Sequence, residues 1–273
     1  MKKGNVQFGF LIARQRSGTH ALRSVLETRE DVKALGEVLY GGKLDPENDT
    51  QFYNIYLDHL RREPEKILDS LGFFMNEYLD YIKDRYRGVG HILFDIKYNS
   101  LGVLQPAWPM LDTVCIPPMI SRILKSGSIV INITRRQYLK QYVSEMLARE
   151  NKIFATTRDV SLKKTSVRID VAHMLGCFER YHREDQIIKD LFVSHEKFIS
   201  FDYDEFFLGE ECVRAEILDK INGLFGGGPG LKYEIQYKKL NTKTLSDSIE
   251  NFKDVTKCLE GTPFAYCLQE RVS

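Results

Sequence analysis

The stretch FLIARQRSGTHALRSVL (residues 10–26) passes from apolar residues, through a short basic turn, directly into a helical pattern. The apolar run VQFGFLIA (6–13), which overlaps its start, is typical of a strand buried on both faces of a parallel sheet. The helical pattern has one apolar face, formed by Ala21, Leu22, Val25 and Leu26. The first N–H groups of a helix lack acceptors within the helix and lie at the positive end of its dipole. The stretch therefore predicts a strand, an anion-binding turn and a helix.

Segments that favour strands alternate with segments that favour helices along the whole chain. Further apolar runs predict strands at residues 31–35, 91–99, 128–134 and 197–203. Apolar residues at helical spacing predict helices at 64–86, at 120–125, in a segment ending near 150, and at 170–192 and 245–259. This alternation predicts an α/β fold of three layers, like that of P-loop proteins, with a mainly parallel central sheet between helices. Because neither an internal repeat nor a low-complexity linker is visible, we expect a single domain over residues 1–273.

Composition and charge narrow the class of protein. Apolar residues make up 43% of the 273 residues and charged residues 28%, and the formal net charge of +1 argues against nucleic acid as a partner. No apolar run reaches the ~20 residues of a membrane helix, so we expect no transmembrane segment. The cysteines form no C-x-x-C pair and predict free thiols in a cytoplasmic protein; they are Cys115, Cys177, Cys212, Cys258 and Cys267. The oligomeric state stays open.

The residues of the turn suit an anionic ligand. Gly18 lets a ligand approach the backbone, Arg16 adds a positive charge, and the hydroxyls of Ser17 and Thr19 add donors. The alternative is an ordinary basic surface turn with a Ser or Thr cap. The turn lacks the Lys-Ser/Thr pair that holds phosphate and magnesium in ATPases and GTPases, and Asp95 after a strand is a weak signal without that lysine.

Two segments resemble sulfotransferases that use 3′-phosphoadenosine-5′-phosphosulfate (PAPS). RQRSGTHALRSVLETREDVKALGE is similar to the 5′-phosphosulfate loop of that family, and INITRRQYLKQYVSEMLA to its 3′-phosphate motif, an Arg with a Ser eight positions later. The branches most similar are the bacterial nodulation-type and tyrosylprotein-like ones. The resemblance implies PAPS as co-substrate without a metal, held by Arg14, Arg16, Ser17, Gly18, Thr19, His20, Arg136 and Ser144.

A third segment, FDIKYNSLGVLQP, resembles the family segment in which a strand ends in Ile-Lys. Cytosolic members carry a catalytic His two residues after that Lys, where this chain has Asn99. Lys97 is a candidate to contact the bridging or sulfuryl oxygens, or else it pairs with a nearby acid at the strand end. By resemblance to the branches that use a glutamate, we expect Glu37 to be the catalytic base, and His20 is the second candidate.

The predicted function is in-line transfer of a sulfuryl group from PAPS to a hydroxyl or amine of an unidentified acceptor, which could be a small molecule, a carbohydrate or a lipid. Arg16 would stabilise the leaving phosphate. Residues 46–62 and 101–118 are expected to be loops that line the acceptor pocket. Two alternatives stay open: a P-loop nucleotide kinase or hydrolase with an atypical anion loop, and a non-catalytic, sulfotransferase-like binding module.

Overall fold

Five parallel strands form the central sheet of the protein. The computed structural model describes residues 6–39, 45–63, 71–98, 100, 118–154, 162–208, 213–227, 231 and 243–269. The strands lie in the order β2-β3-β1-β4-β5, and all four neighbouring pairs are parallel. Their bounds are Gln7–Ala13 (β1), Val32–Gly36 (β2), His91–Lys97 (β3), Ile129–Thr134 (β4) and Phe198–Asp202 (β5). The predicted α/β class with a parallel sheet is confirmed.

Helices connect the strands and cover both faces of the sheet. They are Thr19–Leu26 (α1), Phe52–Arg62 (α2), Leu71–Arg85 (α3), Pro118–Lys125 (α4), Tyr138–Asn151 (α5), Val171–Phe192 (α6), Tyr203–Phe206 (α7), Ala215–Leu224 (α8), Leu245–Ser248 (α9) and Phe252–Leu259 (α10). A short 3₁₀ helix spans Ala265–Leu268. In the described part of the chain, no helix has both the length and the apolar character needed to cross a membrane.

Side chains of β1 point alternately to the two faces of the sheet, and helices cover both faces, so the fold has three layers. Phe10 and Ile12 point into one buried cluster, which includes side chains of α2, α3, α4 and the end of α6. Leu11 and Ala13 point into the cluster on the opposite face, with side chains of α1, α7 and α8. Since successive residues of a strand face opposite sides, an unbroken apolar run is what a strand covered on both faces requires.

The strand order places a crevice at the carboxyl ends of β1 and β4. The chain leaves β1 towards β2 on one side of the sheet, and leaves β4 towards β5 on the other. Ligands of open α/β sheets bind where neighbouring connections diverge in this way. The turn after β1 and the arginines after β4 lie at this edge, and Lys97 and Glu37 lie at the same edge at the ends of β3 and β2.

Residues 46–62 were expected to be a loop, and for most of that segment this prediction is wrong. Phe52–Arg62 forms α2, because Phe52, Ile55, Tyr56 and Leu60 share one face that packs against the core cluster around Phe10. The spacing i, i+3, i+4, i+8 is helical and was visible in the sequence. The other proposed pocket loop, residues 101–118, falls outside the described residues apart from its last position.

The helix expected at 245–259 is interrupted. Between α9 and α10 the chain extends far enough for Ile249 to pair with Val167 in an isolated bridge. Val167 donates its N–H to the Ser248 carbonyl at 2.9 Å and accepts the N–H of Glu250 at 3.0 Å. These two bonds replace helical ones, so a partner distant in sequence overrides the local helical pattern.

Candidate active site

The turn after β1 has a backbone that few residues adopt. Arg16 and Gly18 both have positive φ values, 65° and 79°. A side chain on Gly18 would be strained, and its Cβ would lie 2.3 Å from the ring of Tyr203. Glycine is therefore required there by both backbone and space. For Arg16 the left-handed conformation costs about 1 kcal/mol, and its neighbours must hold it in place.

Two of those neighbours, Ser144 and Arg135, belong to the second predicted motif. Arg16 donates from Nε to the Ser144 hydroxyl at 3.0 Å, and its guanidinium also donates to the Phe154 carbonyl. Arg135 donates from Nη1 to the Arg16 carbonyl at 3.1 Å. Two segments more than 100 residues apart, the turn after β1 and residues 135–144 after β4, thus meet at one edge of the sheet.

The two arginines after β4 have different environments. The side chain of Arg136, the residue named from the motif, is exposed, while its N–H donates to the Asp202 carboxylate at 2.7 Å. The guanidinium of Arg135 lies 4.8 Å from the centre of the Tyr203 ring. Arg135 Nε is buried and has no partner among the described residues. Sequence reasoning treated Arg135 only as the neighbour of Arg136, because the eight-residue spacing to Ser144 selects Arg136.

Lys97 joins the anion turn to two carboxylates. Its ammonium donates to the Thr19 hydroxyl at 2.5 Å and to Asp95 at 2.8 Å, and it lies 3.4 Å from Glu37 Oε1. Lys97 and Asp95 are each 3% exposed, so this is a buried ion pair. The ion pair with Asp95 fits the interpretation that Lys97 pairs with a nearby acid at the strand end. Contact of Lys97 with the bridging or sulfuryl oxygens stays a prediction. Across the described ranges, no three His, Cys, Asp or Glu side chains are grouped in a way that could hold a metal ion.

Glu37 follows β2 directly and faces this lysine. The turn before it needs Gly36, whose φ is 71° and whose Cβ would lie 2.8 Å from the Arg23 guanidinium. Burial raises the pKa of Glu37; nearby Lys97 opposes that shift and Asp95 adds to it. The side chain is still 32% exposed, so it is open to solvent beside the turn. A carboxylate with a raised pKa is a better proton acceptor than an ordinary one.

His20 is the second residue of α1. Its Nδ1 lies 3.3 Å from the Arg23 guanidinium. Burial, together with the positive charges of Arg23 and Lys97, lowers the pKa of His20 to about 4. The imidazole is therefore neutral at neutral pH and a weaker proton acceptor than an ordinary histidine, which favours Glu37 as the base.

We expect His20 to make folding stability sensitive to acid. Its folded pKa lies below that of an unfolded histidine, so the unfolded chain takes up a proton first as the pH falls from 6.5 towards 4. Stability present above pH 6.5 is then lost, by about 2–3 kcal/mol at pH 4.5. Urea denaturation at pH 7 and pH 4.5 should show a smaller difference for His20→Gln than for the wild type. The exposed His182→Gln is the control, and a His20→Gln variant as acid-sensitive as the wild type would contradict this assignment.

Arg14 was predicted to bind the co-substrate, and its guanidinium is occupied by protein groups. It donates to Glu184 at 3.1 Å, Asp185 at 3.1 Å and the Tyr181 carbonyl at 2.6 Å, all on α6. It also donates to the Gln141 side-chain oxygen at 3.3 Å and lies 4.1 Å from the centre of the Tyr181 ring. In this arrangement the Arg14 side chain joins the end of β1 to α5 and α6.

Gln141 is a site residue that sequence reasoning missed. From α5 its amide nitrogen donates to the Gln15 carbonyl at 2.7 Å and to the Ser17 hydroxyl at 3.0 Å. Gln141 lies three residues before Ser144, so both are on the same face of α5. That spacing from a predicted ligand residue was the available signal.

Comparison with known proteins gives little beyond this geometry. Neither a family model nor a curated protein matches the chain. Solved structures do match, among them a sulfotransferase from Alicyclobacillus acidocaldarius, with a TM-score of 0.40 and 10% identity over 100% of this chain and 98% of that one. A similarity at this level carries no inference about activity.

Proposed function

We propose that the protein is a sulfotransferase that moves a sulfuryl group from PAPS to an acceptor hydroxyl or amine. The observation that carries this proposal is the position of Lys97, bonded to Thr19 in the anion turn and 3.4 Å from the carboxylate of Glu37. A donor bound in the turn would have its reacting end beside both a cation and a base. The sequence resemblance supplies the identity of the donor.

Each residue of the site has a separate role in the proposed reaction. The acceptor oxygen or nitrogen attacks sulfur, the bond from sulfur to the bridging oxygen breaks, and its electron pair stays on the leaving phosphate. Glu37 takes the proton of the acceptor as the new bond forms. Lys97, Arg16 and the N–H groups at the start of α1 stabilise the negative charge that develops on the phosphate.

The second phosphate of the donor would lie against the start of α5. Ser144 and Arg136 are its predicted ligands, and we add Arg135. The buried Nε of Arg135 lacks a partner among the described residues, as expected of a donor whose acceptor is a ligand. A guanidinium presents a fork of donors that matches a phosphate dianion.

A magnesium-dependent nucleotide kinase or hydrolase is the second candidate, and one contact favours it. Lys97 and Thr19 bring together in space the lysine and hydroxyl that the turn lacks in sequence, with Asp95 beside them. Both oxygens of Asp95 accept from Lys97, at 2.8 and 3.0 Å, so this carboxylate is already neutralised by a cation. This candidate requires ATP binding that depends on magnesium, and the sulfotransferase proposal does not.

The proposal also covers the domain organisation, the location in the cell and the class of acceptor. We place residues 1–273 in one domain and the protein in the cytoplasm; Cys177, Cys258 and Cys267 are free thiols, as in a reducing compartment. The acceptor class is a small molecule, a glycan or a lipid.

A transfer assay tests the reaction itself. Purified protein is incubated in EDTA with PAPS labelled in its sulfuryl group and with panels of phenols, sugars, lipids and amines. We expect label in one acceptor class, lost in Arg16→Ala. Donor binding with no transfer to any class would instead favour the non-catalytic module. Transfer of phosphate from ATP, dependent on magnesium, would favour the kinase.

A further inference from the structure

Two hydroxyls predicted to contact the donor accept hydrogen bonds from groups that can only donate. The Thr19 hydroxyl faces the ammonium of Lys97 at 2.5 Å, and the Ser144 hydroxyl faces Nε of Arg16 at 3.0 Å. Ammonium and guanidinium groups have no acceptor atoms, so each hydroxyl oxygen must be the acceptor. The hydroxyl protons are then directed elsewhere. In the part of the chain that the structure describes, neither proton has an acceptor.

The Ser17 hydroxyl also accepts a hydrogen bond from the protein, in this case from the side-chain amide of Gln141. The two ends of an amide side chain are nearly indistinguishable by shape, but here the chemistry decides. Arg14 can only donate, so the group facing it at 3.3 Å is the Gln141 oxygen. The Gln15 carbonyl can only accept, so the group facing it at 2.7 Å is the Gln141 nitrogen. The second N–H of that nitrogen meets the Ser17 oxygen at 3.0 Å.

The Ser17 hydroxyl is therefore also forced to accept from the protein. Ser17 and Gln141 are each 1% exposed, so water does not compete readily for this bond. Among the described residues its proton, like those of Thr19 and Ser144, has no acceptor and is available to a ligand. Each of the three hydroxyls accepts from the protein and keeps its proton to donate. Such hydroxyls suit an oxyanion, whose oxygens accept hydrogen bonds and donate none.

We propose that Gln141 is a positioning residue, which does not touch the donor and sets the Ser17 hydroxyl to donate to it. Arg14 fixes the amide of Gln141, and Gln141 in turn fixes the hydroxyl. This inference rests on the proposed function, because it takes the turn as the anion site of PAPS. It also assigns Arg14 a part in donor binding that does not require contact with the donor.

A double-mutant cycle tests the orientation of the hydroxyl. The probe is adenosine 3′,5′-bisphosphate, titrated calorimetrically in EDTA. We expect Ser17→Ala to weaken binding about tenfold, the effect of one bond to a charged group. Gln141→Glu keeps an acceptor for Arg14 but can only accept from Ser17, so the hydroxyl turns towards it. This variant should also bind about tenfold more weakly, and adding Ser17→Ala should then change affinity less than about twofold.

Gln141→Met separates orientation from packing. It loses the bond to the Gln15 carbonyl just as Gln141→Glu does, but it leaves the Ser17 hydroxyl free to rotate towards the ligand. We expect its loss to be smaller than that of Gln141→Glu, and Ser17→Ala should still weaken binding several-fold in the Met background. The matched control is the exposed Gln186→Glu on α6, where the amide donates to the Asp190 carboxylate. Its affinity should stay near that of the wild type, and melting curves verify that each variant is folded.

The outcome that would overturn the inference is additivity. If Ser17→Ala weakens binding equally in the wild type and in Gln141→Glu, the glutamine does not orient the hydroxyl. Failure of the wild type to bind the bisphosphate contradicts the proposed function instead, and inorganic sulfate then replaces it as the probe. The same loss of the Ser17 effect with sulfate would support the inference, whereas additive effects or no sulfate binding would overturn it.

Discussion

Replacing Glu37 with glutamine should lower kcat by about 10²- to 10⁴-fold, the usual contribution of a general base. Glutamine has nearly the same shape and can still meet Lys97, but it cannot take the proton of the acceptor. The affinity for adenosine 3′,5′-bisphosphate should survive, because Glu37 faces the donor site only through Lys97 at 3.4 Å. Steady-state transfer rates and calorimetry on the same preparation measure the two quantities.

The pH dependence of kcat gives a second test of this role. Burial raises the pKa of Glu37, so the rate should be full above that raised value and be lost as the pH falls through it. The midpoint of this acid limb should lie above the ordinary glutamate pKa of 4.5. The limb should disappear in Glu37→Gln and persist in the exposed control Glu30→Gln. Normal turnover in Glu37→Gln would move the base to another residue, with His20 the first to examine.

Replacing Lys97 with methionine should damage both catalysis and folding. Loss of a cation at the site of developing charge is expected to lower kcat by about 10²- to 10³-fold. The same change leaves Asp95, which is 3% exposed, as a buried carboxylate without its partner. That should lower the free energy of unfolding by about 3–5 kcal/mol. Transfer assays and urea denaturation measure the two effects.

The double variant Asp95→Asn, Lys97→Met separates these effects. Removing both charges eliminates the unpaired carboxylate, so most of the lost stability should return. Turnover should stay low, because the cation is still missing. If turnover recovers with stability, then Lys97 serves only as the partner of Asp95, and its proposed role in transfer is wrong.

The elements that the sequence predicted well are those that depend on neighbours in the chain. The run of apolar residues before Arg14 predicts a strand covered on both faces, and the glycine of the turn predicts a helix start. The order of the strands follows from packing between distant segments and could not be read from such patterns. The bridge between Val167 and Ile249, which interrupts the last predicted helix, has the same origin.

The residues of the candidate site likewise fall into two groups, those that local sequence patterns predict and those whose partners are distant in the chain. Arg16, Lys97 and Glu37 each follow or end a predicted strand, so their meeting at one edge of a parallel sheet could be expected. The partners of Arg14 could not, because Glu184 and Asp185 lie about 170 residues further along the chain. A buried arginine in the turn has the same sequence signature as one that faces a ligand. Only the tertiary contacts distinguish a residue that holds the turn from one that faces its ligand.

Calorimetric titration with adenosine 3′,5′-bisphosphate in EDTA tests the central claim most directly, because it needs no knowledge of the acceptor. We predict one-to-one binding that magnesium does not strengthen, and that Arg16→Ala weakens by about tenfold or more through lost charge-assisted bonds. The absence of both heat and a thermal shift with this ligand would contradict the claim. So would binding that appears only when magnesium is added.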